Sequence, residues 1–376
     1  MVYLDYAANS PVDKKVLDKF YETNLKYFAN PNSNHRLGIE AKELIETSTK
    51  NIAKNLKVDS EEVIYTSGAT ESNNLVVRGI AERYKNNGKH IIISSLEHSS
   101  IIAPVSYLTQ NGYEVDIVEL DENGRVSIDS LKELLRDDTI LVSITSVDSE
   151  LGIVQPIEEI GKILKDYPNT YFHTDASQAL GKIKLDFTNV DLITIAPHKF
   201  YGLNGFGALI KKKNISLTPI ILGGKSTTVY RSGTPVLPMV VSLDLALDLA
   251  IKNLDERYEY ISKINQEVRN YLSKYDLLHI NSTEYSMPYT LNFSVKGVKS
   301  DEFVKKLSDN EIYVSTKASC CPDNTPSKSV YALTKDKTLA NTSIRISFSH
   351  LTTKEELEKF YAIFDTVYKE LTSGKI

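Results

Sequence analysis

The sequence predicts an α/β fold, a mostly parallel sheet sandwiched by helices, with a smaller α+β domain attached. Three observations predict it. Between about Asp59 and Leu209, short apolar or alternating runs take turns with helix-like segments, the pattern of strands joined by crossover helices. Several of those runs are apolar throughout, as strands covered on both faces are. Beyond Pro238 the alternation gives way to helical spacing and then to isolated strand-like runs.

Taken in order, VIYTS (63–67) reads as a strand and TESNNLVVRGIAERYKNN as the helix after it. HIIISS (90–95) is a second strand, followed by a helix from about Ser99 to Gln110. YEVDIVEL (113–120), ILVSITSV (140–147), TYFHTD (170–175), DLITIA (191–196) and GALI (207–210) complete the strand set. From about Val240 to Lys274, Leu243, Leu247, Ala250 and Leu254 fall on one helical face. TLNFSV (290–295) and SIRISF (343–348) read as strands, with a helix near Asp301–Asn310 between them. The last helix spans about Thr353–Leu371. Thr353 and Glu356 form its capping box, and Leu357, Phe360, Phe364, Val367 and Leu371 its apolar stripe.

Composition narrows the class. The 376 residues are 41% hydrophobic and 25% charged, ordinary for a globular protein and long enough for one large domain plus a smaller one. A net charge of −5 without blocks, and a single short basic run at Lys211–Lys213, give no nucleic-acid footprint. The start, MVYLDYAANSP, lacks an apolar signal region, and no apolar stretch approaches a membrane span. A cytoplasmic location is therefore expected. The two cysteines, Cys320 and Cys321, are adjacent, which excludes a disulfide framework and a cysteine-based zinc site; no metal is expected.

The residues that carry chemistry cluster after strands, where α/β folds bind ligands. Asp175 ends one apolar strand and Lys199 follows the next. Alone, each has an ordinary reading: a turn or helix cap for the aspartate, a solvated loop residue for the lysine. Together they are the pair that pyridoxal phosphate (PLP) requires, a Schiff-base lysine and an acidic partner for the pyridinium nitrogen. SGATES (67–72) is a small-residue turn opening a helix, either an ordinary N-cap or, beside such a lysine, a phosphate cradle. GLNGFG (202–207) has the spacing G-x-x-G-x-G and no long helix after it, so it is not a dinucleotide fingerprint. His98 ends the HIIISS segment, where it either caps a helix or lies over a cofactor ring. Cys320 lies in VSTKASCCPDNTPSKS, a polar segment without periodicity that reads as a mobile loop and favours a reactive thiol over a buried one.

In this order and spacing, YLDYAANSPVD, NPNSNHRLG, TSGATESNNL, LEHSS, ELGIVQPI, HTDASQALGK, HKFYG, RSGT, the cysteine segment and SIRISF with LTTKEEL resemble the PLP-dependent cysteine desulfurases of the NifS/IscS type, in aminotransferase class V. The resemblance covers nearly the whole chain. It implies PLP fold-type I, with a large domain over residues 15–250 and a small α+β domain of residues 1–14 and 251–376 carrying the cysteine loop. It implies that Lys199 carries the cofactor, Asp175 pairs with the ring nitrogen, and Gln178 bonds the ring hydroxyl. His98 would stack on the ring and move protons. Ala69, Thr70 and His198 would bind the phosphate, Ser149 would contact cofactor or substrate, and Thr234 would reach the phosphate of a neighbouring subunit in a homodimer. Arg345 would hold the substrate carboxylate. Cys320 would take sulfur from L-cysteine as a persulfide, leaving alanine, and pass it to an acceptor protein such as an iron–sulfur scaffold or a tRNA-thiolation enzyme.

Four positions depart from the family pattern. Asp148 and Ser149 replace two asparagines, which brings a carboxylate near an anionic substrate. Ala196 replaces a serine, removing a phosphate hydrogen bond worth on the order of 1–3 kcal/mol. The Gln–Glu after the glycine pair is absent from GGKSTTVYRSGT, and Cys321 follows Cys320, either as a sulfur relay or merely as a neighbour. These departures keep two alternatives open: a related class V enzyme such as a selenocysteine lyase, and a scaffold paralogue that has lost turnover.

Overall fold

The computed structural model describes residues 1–225, 227–317 and 325–373. The chain opens with β1 (Val2–Tyr3), α1 (Lys14–Lys26) and α2 (Arg36–Leu56). Alternation follows through β2 (Val63–Thr66), α3 (Ala69–Tyr84), β3 (His90–Ser94), α4 (Ser99–Thr109) and β4 (Glu114–Val118). It continues through α5 (Ile128–Leu134), β5 (Thr139–Ser143), α6 (Ile157–Leu164), β6 (Tyr171–Asp175), β7 (Leu192–Ile195) and β8 (Gly207–Lys211). Strands β2 to β8 form one seven-stranded sheet in the order β2-β8-β7-β6-β5-β3-β4. Only β8 runs against the rest, being antiparallel to both β2 and β7. All the other strands therefore end on the same edge, where the sheet is mostly parallel as the sequence predicts.

Side-chain alternation divides that sheet between two apolar layers. Ile92, Val142, Phe172 and Ile193 face a core shared with α2, α6 and α7 (Leu237–Lys252). Ile91, Ile93, Leu141 and Leu192 face the other, shared with α3 and α4. Every residue of β5 is buried, which explains its unbroken apolar run. The edge strand β4 is half open, and Ile117 on it is 59% exposed. The run 140–147 is longer than its strand. The ladder ends at Ser143, after which Ile144 and Ser146 still donate to the carbonyls of His173 and Asp175 before the chain turns away.

The remainder packs beside this layer. It comprises α8 (Leu254–Leu272), β9 (Leu278–Ile280), β10 (Thr290–Val295), α9 (Ser300–Asp309) and β11 (Ile312–Tyr313). Then come α10 (Lys328–Thr334), α11 (Lys337–Asn341), β12 (Ser343–Ser347) and α12 (Lys354–Thr372). Strands β12, β10 and β9 make an antiparallel sheet, and β1 pairs with β11. Val2 and Leu4 are thereby buried in the same core as Phe293, Phe303, Ile344 and α12. The capping box is present, with Thr353 Oγ1 accepting from Glu356 N and Glu356 accepting from Thr353 N. Leu357, Phe360, Phe364 and Val367 are buried and Leu371 partly so. The stretch 240–274 is two helices rather than one, divided at Asn253. Pro238 lies in the first turn of α7, where its missing N–H has no helical partner to lose.

Candidate active site

A cavity of about 340 Å³ opens at the common edge where the parallel strands end. One wall is the β2–α3 turn. Gly68 has φ 147°, a conformation open to glycine and strained for other residues. The neighbouring strand demands a second glycine, because a Cβ on Gly207 would lie 2.7 Å from Gly68 Cα. The first intrahelical bond of α3 runs from Ser72 N to Gly68 O, so the N–H groups of Ala69, Thr70 and Glu71 precede it at the helix end. With the Thr70 hydroxyl and the helix dipole they form an anion cradle. Burial alone would raise the Glu71 carboxyl here, but bonds from Arg231 and Ser67 hold it below its usual range. That carboxylate is thus neutralised beside the cradle. His198 also lines the cavity; burial, and then Lys199 and Lys182, push it down to about 4, so it is neutral at pH 7.

Strand β6 delivers Asp175 to the cavity floor. Its Oδ2 accepts from Asn73 Nδ2 at 2.8 Å and its Oδ1 from Ser177 N at 2.9 Å, so both carboxylate oxygens are held in place. A short 3₁₀ turn after β7 presents Lys199, whose Nζ donates to the carbonyls of Ala7 and Ala8 at 2.8 and 2.7 Å. Gln178 donates from Nε2 to Ala7 O and accepts at Oε1 from Lys182 Nζ. Burial, with Lys199 and Arg345 as like charges, pushes Lys182 down to about 7. His98 has its capping reading in the structure, its Nδ1 accepting from Ser100 N at 3.2 Å at the start of α4, and it is also at the cavity.

The far wall comes from the second sheet. Arg345 on β12 is 1% exposed; its Nη1 donates to Ser149 O at 2.9 Å and its Nη2 pairs with Asp5 Oδ1 at 2.8 Å. Ser149 and Ala196 line the cavity as well. Asp148 does not, contrary to the charge expected there. It is buried behind the wall, accepting from Ser329 Oγ and from the N–H groups of Glu150 and Leu151. Burial and the neighbouring Glu150 push its carboxyl up to about 7. The peptide turn between β5 and α6 thus points its side chain inward and its Ser149 carbonyl at the arginine.

Of the expected site residues, Ala69, Thr70, His98, Ser149, Asp175, Gln178, His198, Lys199 and Arg345 meet around this one cavity. Thr234 does not. It is exposed and borders a separate cavity with Arg231 and Ser67. Cys320 and Cys321 lie outside the described residues; on the flanking described residues, Lys317 Nζ donates to Thr325 O and Oγ1. Asp5, Asn73, Ser100 and Lys182, which the sequence reading did not name, bond to Arg345, Asp175, His98 and Gln178. Asn73 had a signal, being one helical turn beyond Ala69 and beside apolar Leu75, Val76 and Val77.

The donors fit PLP. Among the described residues, Ser177 and Arg345 line the cavity, and Ser177 Oγ and Arg345 Nε are buried polar atoms that make no hydrogen bond within the chain. Such atoms are costly unless a ligand or water meets them. With the anion cradle and Arg345 both on its lining, the cavity has donors for a phosphate and for a carboxylate.

The sheet, its crossovers and this cavity are the architecture of the fold-type I PLP enzymes. Within that class, the chain belongs to the aminotransferase class-V family, whose pattern matches residues 2–360. It is 36% identical to a NifS/IcsS protein homolog of Lactobacillus delbrueckii subsp. bulgaricus, over 99% of this chain and 98% of that one. It is also 36% identical to the cysteine desulfurase IscS of Dictyoglomus turgidum, over 98% and 95% of the two chains. A solved NifS-like protein superposes with a TM-score of 0.92 at 31% identity, over 99% of both chains. SspA in complex with cysteine superposes with a TM-score of 0.82 at 31% identity, over 94% and 100%.

Proposed function

We infer that the chain is a PLP-dependent cysteine desulfurase, which takes sulfur from L-cysteine and leaves L-alanine. One observation carries the reading: Lys199, Asp175, the α3 anion cradle and Arg345 converge on a single cavity in a chain of the class V family. PLP, when bound, supplies an electron sink for the charge left at Cα. The chain's own residues do the rest. The α3 end, Thr70 and His198 hold the phosphate, and Lys199 holds the cofactor aldehyde and takes the α-proton. Asp175, oriented by Asn73 and Ser177, would pair with the ring nitrogen. Gln178 turns its amide N–H toward the ring hydroxyl, because Lys182 occupies its carbonyl oxygen. Arg345 orients the substrate carboxylate, and His98 covers the ring. The Cys320 thiolate attacks the substrate sulfur. An S–S bond forms as the substrate C–S bond breaks; the electron pair of that bond stays on the substrate β-carbon, which takes up a proton to become the methyl of alanine, and a persulfide remains on Cys320 for an acceptor protein.

Three further parts of this reading rest on family resemblance: a homodimer in which Thr234 serves the neighbour's phosphate, an iron–sulfur scaffold or thiolation enzyme as acceptor, and a cytoplasmic setting. Among the described residues no helix is long and apolar enough to cross a membrane.

The test is an absorption spectrum of the purified protein with PLP, followed by L-cysteine. A visible band that changes with cysteine, with alanine formed and sulfide released by a thiol reductant, is expected. Cys320→Ala should keep the band and lose the sulfide. A band indifferent to cysteine but responsive to selenocysteine would reassign the substrate. Absence of any band after adding PLP would leave a scaffold without turnover.

A further inference from the structure

Asn73 is fully buried on α3 and stands between two of the residues assigned above. Its Nδ2 lies 2.8 Å from Asp175 Oδ2 and 2.8 Å from Ser100 Oγ. The orientation of this amide follows from chemistry. An ionised carboxylate only accepts, so the atom facing Asp175 must be the NH₂ group, and its second hydrogen goes to Ser100. Ser100 Oγ then has its own hydrogen left, and His98 Nδ1 lies 2.8 Å away. Ser100 N also approaches the same Nδ1, at 3.2 Å. A backbone N–H can only donate, so Nδ1 is an acceptor and the ring proton sits on Nε2. An Nδ1–H, in either the other tautomer or the imidazolium, would face two donors.

We propose that Asn73 is a positioning residue that, through Ser100, holds His98 as a neutral Nε2–H imidazole while its other hydrogen holds the Asp175 carboxylate. The inference rests on the site assignments of the desulfurase reading and sharpens one of them. In this tautomer Nε2 already carries a proton and cannot accept another, so His98 acts on the bound substrate as a hydrogen-bond donor. Proton abstraction is left to Lys199. One side chain thereby holds both the carboxylate that would pair with the ring nitrogen and the imidazole that would cover the ring, and both ends of the chain Asp175–Asn73–Ser100–His98 line the cavity.

The experiment uses ¹⁵N-histidine-labelled protein, with the His98 signals assigned by their loss in His98→Gln. The spectrum expected, with and without PLP, is one neutral ring protonated at Nε2 between about pH 6 and 8, where an unperturbed histidine would change charge. In Ser100→Ala, Nδ1 keeps only the longer backbone bond, and a second tautomer or a titrating ring should appear. The Asp175 arm is read from the pH midpoint of the visible cofactor band. Asn73→Ala leaves the carboxylate one donor short and the site more negative, so the midpoint should rise by about half a pH unit or more. Ser100→Ala should leave the midpoint in place. A wild-type His98 that is charged, or protonated at Nδ1, overturns the proposal, as does an unchanged midpoint in Asn73→Ala. The histidine spectrum of the wild type and of Ser100→Ala needs neither cofactor nor an intact Asn73 variant. A chain that never forms the band would therefore sink the desulfurase reading, while the tautomer would still be measured and would uphold or overturn the His98 arm by itself.

Discussion

At the residue scale, the cavity is an arrangement of charges kept out of water and satisfied one by one. Lys182 shows how much neighbours matter. It is buried, gives a hydrogen bond to Gln178 Oε1 at 2.8 Å, and sits near two other cations, so it holds its proton poorly. Its folded value of about 7 lies below the ordinary 10.5. The unfolded chain therefore binds a proton more tightly, and stability is lost as pH falls from about 10.5 towards 7. Lys182→Met should flatten that dependence: the gain in Tm expected of the wild type between about pH 7.5 and 9.5 should shrink in the variant. An equal gain in both proteins would mean that Lys182 is not the titrating group. The residues legible in the sequence at this scale were those with a distinctive chemistry, Lys199 and Asp175 above all. Ser100 and Asp5 were not, since a lone hydroxyl or carboxylate carries no spacing rule and takes its meaning from whatever packs against it; Asn73 stood out only as a polar residue among apolar ones on its helix.

At the element scale, strands and helices were legible wherever one periodicity ruled. The capping box and apolar stripe of α12 were visible because both repeat on the helix period, and β5 because it is buried on both faces. Short helices such as α5 and α6 offer too few turns for a period to emerge, so the sequence pattern does not reveal them. The β5–α6 turn adds a point the pattern alone misjudged. Asp148 was expected to bring charge to the substrate. Instead it ties this turn to Ser329 on α10, while Glu150 bonds Ser327 just before that helix. Its folded value, raised to about 7 from 3.8, means that the folded state binds the proton more tightly. Stability from this group is complete below about pH 4 and is lost as pH rises through 7. Asp148→Asn keeps an oxygen for the two backbone N–H groups and an N–H₂ for Ser329 without a buried charge. The variant should therefore gain Tm over the wild type, and the gain should be larger at about pH 8 than at about pH 5. A gain independent of pH would remove Asp148 ionisation from the explanation.

At the scale of the whole molecule, the site exists only because distant segments meet. Arg345 and Asp5 come from the two ends of the chain and pair at 2.8 Å, which brings the second sheet against the carboxyl ends of the first. Thr234 is exposed and outside the cavity that holds Lys199, the position a residue serving a second copy would occupy. Light scattering should give a mass of two chains, and Thr234→Ala should weaken PLP retention without dissociating the pair. A monomer that retains PLP would assign Thr234 no part in the site. The sequence by itself determined the fold class, the lysine and aspartate, and the family, because these rest on period and on residue chemistry at fixed spacing. Only the tertiary structure decided which polar groups face one another: Asp148 turned inward, Asn73 bridging Asp175 to Ser100, and Lys182 behind Gln178. The reason is physical. A hydrogen bond or a displaced proton depends on distance and burial, and both are set by packing between segments up to hundreds of residues apart, where local pattern has no reach.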